Sequence, residues 1–450
     1  MISLVKMAAK KRNSESPMDQ PINLIRSELD LFNTEGHDMS ILSTQTIDYF
    51  PTTPLTDSLA PITFNIQGTS EHYVDLSQTR LYMRLKVTKE DGSDIADTDI
   101  TVPVNNILHS AFSQCSIFLN EQQITTPNMY YAYRAYFERL LCTSKEFNKT
   151  QSVLAGYHKE HNPYNTDETV EDSLKKRHEM SKKSSVFEVL GRPHADIFHC
   201  GTYLPPAVNI RVALTRSSDA FALYAKTGTD WRLNILEAKL QVTKYKVQPA
   251  VAMSHISMWE SGHVANLYLN RVDIKSYGLP IGTLNSVNES LVVGELPSRL
   301  VIALVSTQKM IGAMNENPFI FGGHHLSNIC VSINSDVHDS RDLEVSFETR
   351  TKRIKEAVHN LYRSIGIAEL DSAIDLTDKD FENGYALFAY DIATAGDAIP
   401  LSRHGNIKID LKFNRATNQA LTVLVYTETP SVLHIDKNKN VFFSNSAPIV

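Results

Sequence analysis

SQCSIFLN, residues 113–120, and SNICVSIN, residues 327–334, carry nearly the same pattern 214 positions apart. In the first, Cys115, Ile117 and Leu119 share one face, and Ser116 and Phe118 the other. In the second, Ile329, Val331 and Ile333 fill the matching slots. A period of two marks a half-buried strand. The pattern is therefore written twice, and the question is how far the repetition extends.

It extends on both sides. TRLYMRLKV (79–87) alternates Leu81, Met83, Leu85 and Val87 with Tyr82, Arg84 and Lys86, and SRLVIALVS (298–306) lines up with it. The later copy is apolar on both faces, as expected of a more deeply buried strand. NIRVAL (209–214) pairs with NIKIDL (406–411). The markers keep one order in both halves, at offsets of 219, 214 and 197 residues. The drift matches a long polar stretch, 145–185, in the first half.

One amphipathic helix follows the central strand of each half. Thr126-Pro127 offers an N-cap and N1 proline ahead of Tyr133, Tyr136, Phe137, Leu140 and Leu141. Thr351 offers a cap ahead of Ile354, Ala357, Val358, Leu361, Tyr362 and Ile365, with Gly366 at the end. Such an aromatic stripe reads as core. Many short strands, one helix and more strands, repeated over about 190 residues each, predict a mainly β protein. The expected architecture is two tandem eight-stranded antiparallel jelly rolls, each with an inserted α-helix. The boundaries are an extended N-terminal arm over 1–60, a first roll over 61–250 and a second over 251–450 with a C-terminal tail. The polar insertion at about 145–185 is expected as an exposed loop or excursion.

Length agrees, since 450 residues suggest two to three domains rather than one core. No run reaches the ~18–20 apolar residues that a membrane span needs. MISLVKMAAKKRNSES places its basic cluster after the short apolar stretch, unlike a signal peptide, so synthesis in the cytosol is expected. The four cysteines have no CxxC pairing or regular spacing, and two sit inside apolar strand patterns where free Cys behaves as a small buried hydrophobe, so no disulfide framework is expected. A net charge of −7 does not suit a protein whose main surface grips nucleic acid. Lys6, Lys10, Lys11 and Arg12 are the local exception, either a solvated terminus or a short basic tail facing an acidic partner or nucleic acid.

Catalytic patterns are missing. A two-roll chain could be a bicupin, but no HxH pair occurs, and the adjacent His324 and His325 would face opposite ways on a strand. His158 and His161 fall in the polar insertion and read as solvated. There is no GxSxG, GxxxxGK[ST], GxGxxG or HExxH. DLTDKDFENG (375–384) lacks the calcium-loop spacing. The residues thus predict no enzyme, no cofactor and no metal.

The stretches HYVDLSQTRLYMRLKV (72–87), VNNILHSAFSQCSIFLNEQQIT (104–125), YAYRAYFERLL (131–141), YLPPAVNIRVALTRSSDAFAL (203–223) and FENGYALFAYDI (381–392) carry a resemblance. The chain resembles the double jelly-roll, hexon-like major capsid proteins of the Polinton/Maverick–adintovirus group of double-stranded DNA viruses and virus-like elements. The match spans roughly residues 62 to 426 and leaves out the arm and the tail after about Pro430. It implies a homotrimer of six-lobed outline that tiles an icosahedral shell through capsomer–capsomer contacts. It also implies penton and minor capsid proteins as partners, localisation in the virion capsid and assembly in the host nucleus. The basic arm would then face encapsidated DNA or internal proteins. The competing reading from the Tyr-rich stretches is a lectin-like or receptor-binding jelly-roll module.

Overall fold

The computed structural model describes residues 40–444 except 57–58, 97–98, 166–170, 227, 229, 335–340, 372 and 393–403. Sixteen of the strands among the described residues form two sets of eight. The first set is β1 (Ile41–Tyr49), β2 (Ile62–Ile66), β3 (His72–Lys89), β4 (Phe112–Leu119), β5 (Gln122–Gln123), β6 (Phe187–Gly191), β7 (Ile210–Arg216) and β8 (Trp231–Val247). The second is β9 (Ala265–Leu279), β10 (Asn285–Glu295), β11 (Arg299–Ser306), β12 (Leu326–Ile333), β13 (Arg341–Glu344), β14 (Phe388–Asp391), β15 (His404–Phe413) and β16 (Leu421–Ile435).

The sheets of the first set run β1-β8-β3-β6 and β2-β7-β4-β5. Those of the second run β9-β16-β11-β14 and β10-β15-β12-β13. Adding eight to every label of one roll gives the other, in the same order, and every pairing is antiparallel. The three echoes read from the sequence are β3 with β11, β4 with β12 and β7 with β15. Register agrees as well: Ile117 lies opposite Val212 in one roll, and Val331 opposite Ile409 in the other.

Each roll also carries its helix in the same place, between its fifth and sixth strands. These are α1 (Tyr131–Cys142) and, later in the chain, the helix Lys355–Ser364. Their starts differ from expectation. The residues before the first turns are Tyr130 and Ile354, neither of which caps through its side chain, so Thr126 and Thr351 lie too far upstream. Tertiary packing rather than a cap sets these two ends. Gly366 does follow the later helix, at φ +73°, a left-handed conformation that glycine adopts freely.

Two further boundaries move. Residues 41–49, expected within the arm, form β1 and pair with β8 from Tyr49–Leu240 to Ile41–Val247. Pro430 lies inside β16 opposite Asn270, and Val441–Ser444 folds back onto that strand. The expected division at 250/251 falls at the start of a helix, Pro249–Glu260, that buries none of its residues.

Cores follow the pleat. Leu81, Met83, Leu85, Ile117, Val212 and Leu240 fill the first roll, and Leu300, Ile302, Leu304, Ile329, Ile409 and Val425 the second. A third core lies between them. Val301, Ala303 and Val305, on the other face of β11, join Leu424 and Tyr426 of β16 against Tyr133, Tyr136, Phe137 and Leu140 of α1. This is why SRLVIALVS is apolar on both faces. The equivalent outer positions of β3 stay polar because no helix covers them: Arg84 is exposed and pairs with Glu237. The aromatic fit is close, with Tyr136 stacked on Phe319 at 4.1 Å and Phe137 edge-on to Tyr426 at 5.9 Å. Truncation Phe137→Ala should cost about 3–5 kcal/mol. Because the side chain lies between the rolls, both should be weakened together. Denaturant titration followed by fluorescence should therefore show one transition at a lower midpoint, not a stable roll beside an unfolded one.

Candidate functional site

The polar stretch 145–185 is not an exposed loop. Among its described residues Asn148, Ser152, Tyr157, Glu160, Leu174, Arg177 and Ser181 are buried, and Tyr157 and Leu174 join the core between the rolls. A chain so polar can be buried only where its charges find partners. Lys159 Nζ lies 2.9 Å from both Asp375 and Asp380 of the second roll. Glu160 accepts from the Arg177 guanidinium and, at 2.8 Å, from Asn317. Its backbone carbonyl accepts from Tyr385 at 3.2 Å. Burial raises the Glu160 carboxyl despite Arg177 beside it. Glu160, Glu171, Arg177 and Lys309 also border a cavity of about 100 Å³. That space suits waters rather than an organic substrate, which usually needs ~300 Å³ or more.

A second polar cluster surrounds α1. Arg134 donates to Glu138 at 2.8 Å, one turn on, and to Asp196 at 2.6 Å. The other oxygen of Glu138 lies 2.6 Å from His194 Nδ1 and 3.4 Å from His199 Nε2. Burial alone would raise Glu138, but Arg134 and His194 hold its carboxyl well below the usual range. Burial pushes His194 down to about 4 against the opposing pull of Glu138. The pair is therefore a carboxylate and a neutral imidazole. His109 packs edge-on to His194 at 4.5 Å and meets Tyr131 Oη at 3.0 Å. HADIFH (194–199) was not singled out in the sequence. Its only signal was two histidines five apart, and Glu138, 56 residues upstream, completes the group only in space.

The outer surface supplies a third feature. β1 is an edge strand of nine residues, largely exposed on both faces, with Leu42 more than half exposed. At Ser40 it meets the helix Pro249–Glu260, whose Gln248 amide donates to the Ser40 carbonyl. That helix is held by His255, bonded to Tyr73 at 2.7 Å, and by Trp259, over which Lys439 sits at 3.1 Å. Met253 and Ile256, three residues apart and so on one face, are 66% and 46% exposed. An exposed edge beside an apolar helix is a surface that proteins normally cover.

Of the site residues read from the sequence, Lys6, Lys10, Lys11 and Arg12 lie outside the described residues. His158, expected in solvent, is half-buried, and burial with Arg177 and Lys176 pushes its imidazole down to about 4. Cys115 and Cys200 are buried, whereas Cys142 is exposed. Among the described residues, no helix is long and apolar enough to cross a membrane.

No family model matches the chain. An uncharacterised protein of Caenorhabditis elegans is 20% identical over 395 residues, which are 84% of this chain and 92% of that protein. A chain in the cryo-EM structure of the Sputnik virophage superposes with a TM-score of 0.61 at 9% identity, over 96% of this chain and 94% of that one. The mavirus major capsid protein gives 0.52 at 10% identity, over 97% and 96%. The Faustovirus major capsid protein gives 0.51 at 8% identity, over 89% and 92%. The fold is that of double jelly-roll viral capsid proteins. Identities this low keep the order of the strands and few of the side chains, so the polar clusters above are read from this chain alone.

Two tests address the junction. Removing Lys159 leaves Asp375 and Asp380 facing each other in a buried setting, so Lys159→Met should cost about 3–5 kcal/mol. Lys246→Met, which breaks an exposed, solvent-screened pair with Glu71, should leave stability nearly unchanged. Chemical denaturation of both variants measures the contrast. The neutral His158 generates a pH dependence. Its folded value of about 4 lies below the ordinary 6.5, so the unfolded chain binds its proton first. The stability it contributes is complete above pH 6.5 and is lost as pH falls toward 4. Melting temperatures between pH 7.5 and 4.5 should drop less for His158→Gln than for the wild type.

Proposed function

We propose that this chain is a structural major capsid protein, with a role that is architectural rather than catalytic. The observation that carries this reading is the strand-for-strand equivalence of its two rolls. Three copies of a tandem pair present six similar lobes, so a threefold particle gains near-sixfold sides and packs in a hexagonal lattice. Trimers of this kind would tile an icosahedral shell around double-stranded DNA.

The exposed β1 edge and the uncovered Pro249–Glu260 helix suit such an assembly, because contacts between copies would bury both. Permanent interfaces of this type commonly remove ~2,000 Å² or more from solvent. The basic arm, with Lys6, Lys10, Lys11 and Arg12, would face the interior, near DNA or minor capsid proteins, and penton proteins would close the vertices. Synthesis in the host cytosol and assembly in the nucleus belong to the same reading.

Light scattering of the purified chain should give a particle of three times 50.5 kDa, and negative-stain microscopy of that fraction a hexagonal outline. A monomer or dimer across a range of salt and pH would sink the reading and favour a receptor-binding module, to be tested on glycan arrays. Ile256→Asp, at an exposed position, should leave the melting temperature of the subunit nearly unchanged and shift the trimer toward monomer.

A further inference from the structure

We propose that Glu138, His194 and His199 form a binding site for one divalent transition-metal ion, with zinc the best fit. Each of the three side chains offers one donor atom, and these atoms all lie within 4.8 Å of one another. Zinc binds imidazole nitrogen and carboxylate oxygen at about 2.0–2.2 Å, tetrahedrally. Ligand atoms then sit roughly 3.3–3.5 Å apart. The 3.4 Å between Glu138 Oε2 and His199 Nε2 already has this value. The 2.6 Å between Glu138 Oε2 and His194 Nδ1 is a hydrogen bond. A zinc ion would replace its proton and widen it by less than 1 Å. Three protein ligands leave a fourth position for water.

The ligands are held by their surroundings. Arg134 grips Oε1 of Glu138 at 2.8 Å and so turns Oε2 toward the histidines. Asp196, between the two histidines, accepts from Arg134 at 2.6 Å and from the Val272 amide at 3.0 Å, which anchors the turn Asp196–His199. Asp196 also balances the charge of Arg134, so the carboxylate of Glu138 is available to a cation. The His194 amide donates to Tyr131 Oη at 3.3 Å. Such outer partners orient metal ligands in known sites. Glu138 and His194 are buried, whereas the His199 side chain is 36% exposed and opens a path to solvent. Two nitrogens and one oxygen suit zinc and its neighbours and disfavour calcium and magnesium, which take oxygen ligands. The ion would tie HADIFH to α1 at the centre of the molecule, independently of any assembly of copies.

The test uses the untagged full-length protein, stripped with a chelator and dialysed. Calorimetric titration with zinc chloride should show one ion per chain, and zinc should raise the melting temperature. Cobalt(II) should give the intense visible bands of a four-coordinate site, bleached by zinc. His199→Ala, at the least buried ligand, should weaken zinc binding by more than the ~10–100-fold that loss of an outer partner costs. Its melting temperature in chelator should match that of the wild type, separating lost binding from lost folding. His161→Ala, exposed and outside the cluster, should bind zinc as the wild type does. Failure to take up zinc stoichiometrically, or uptake unaltered by His199→Ala, would overturn the proposal and leave the three side chains as a hydrogen-bonded brace.

Discussion

Everything in the second roll depends on one strand that has no solvent face. Leu300, Ile302 and Leu304 point into its own core, while Val301, Ala303 and Val305 point out of it toward α1. An apolar outer face on a sheet must be covered, at roughly 25 cal/mol for each Å² withdrawn from water. The helix of the first roll supplies the cover through Tyr133, Tyr136 and Phe137. The two rolls are therefore bound by a shared hydrophobic core rather than tethered by a linker. The helix that joins them in sequence can then afford to bury nothing.

The polar insertion follows from the same constraint. Beside α1, Tyr157 and Leu174 of the following segment join the same core. Its charged residues are burdensome in such a place unless matched, and they are matched across the junction: Lys159 with Asp375 and Asp380, and Glu160 with Arg177 and Asn317. Buried pairs of this kind contribute little net stability relative to apolar packing, but a mismatched register would strand a charge at several kcal/mol. The apolar core thus supplies affinity between the rolls, and the ion network fixes their relative position.

The duplication was legible because a period of two survives in any half-buried strand. The two-sided apolarity of SRLVIALVS was a correct sign of deeper burial. What covered it could not be read, because α1 lies more than 150 residues upstream and sequence patterns carry no such distances. The insertion misled for a related reason. Composition reports polarity, not whether polarity is paired, and Asp375 and Asp380 gave no sign of a lysine partner in the other roll. β1 was missed because both its faces are largely exposed, so ILSTQTIDY shows no apolar alternation and is held by its ladder to β8. HADIFH was passed over because its third partner lies on α1.

Symmetry between the rolls holds through the sixteen paired strands and is broken in surface. The outer side of β3 carries Tyr82, Arg84 and Lys86, whereas the outer side of β11 carries Val301, Ala303 and Val305 at matching positions. Had both outer faces been apolar, each roll would have needed a covering helix from a neighbour, and the pair could have chained open-endedly. With one face polar and one apolar, the junction closes within a single chain and leaves a solvated sheet behind it. In the proposed trimer, near-sixfold geometry would come from the repeated strand order. Its threefold remainder would lie in the chemistry, because the two lobes of each chain present different residues to whatever lies beside them.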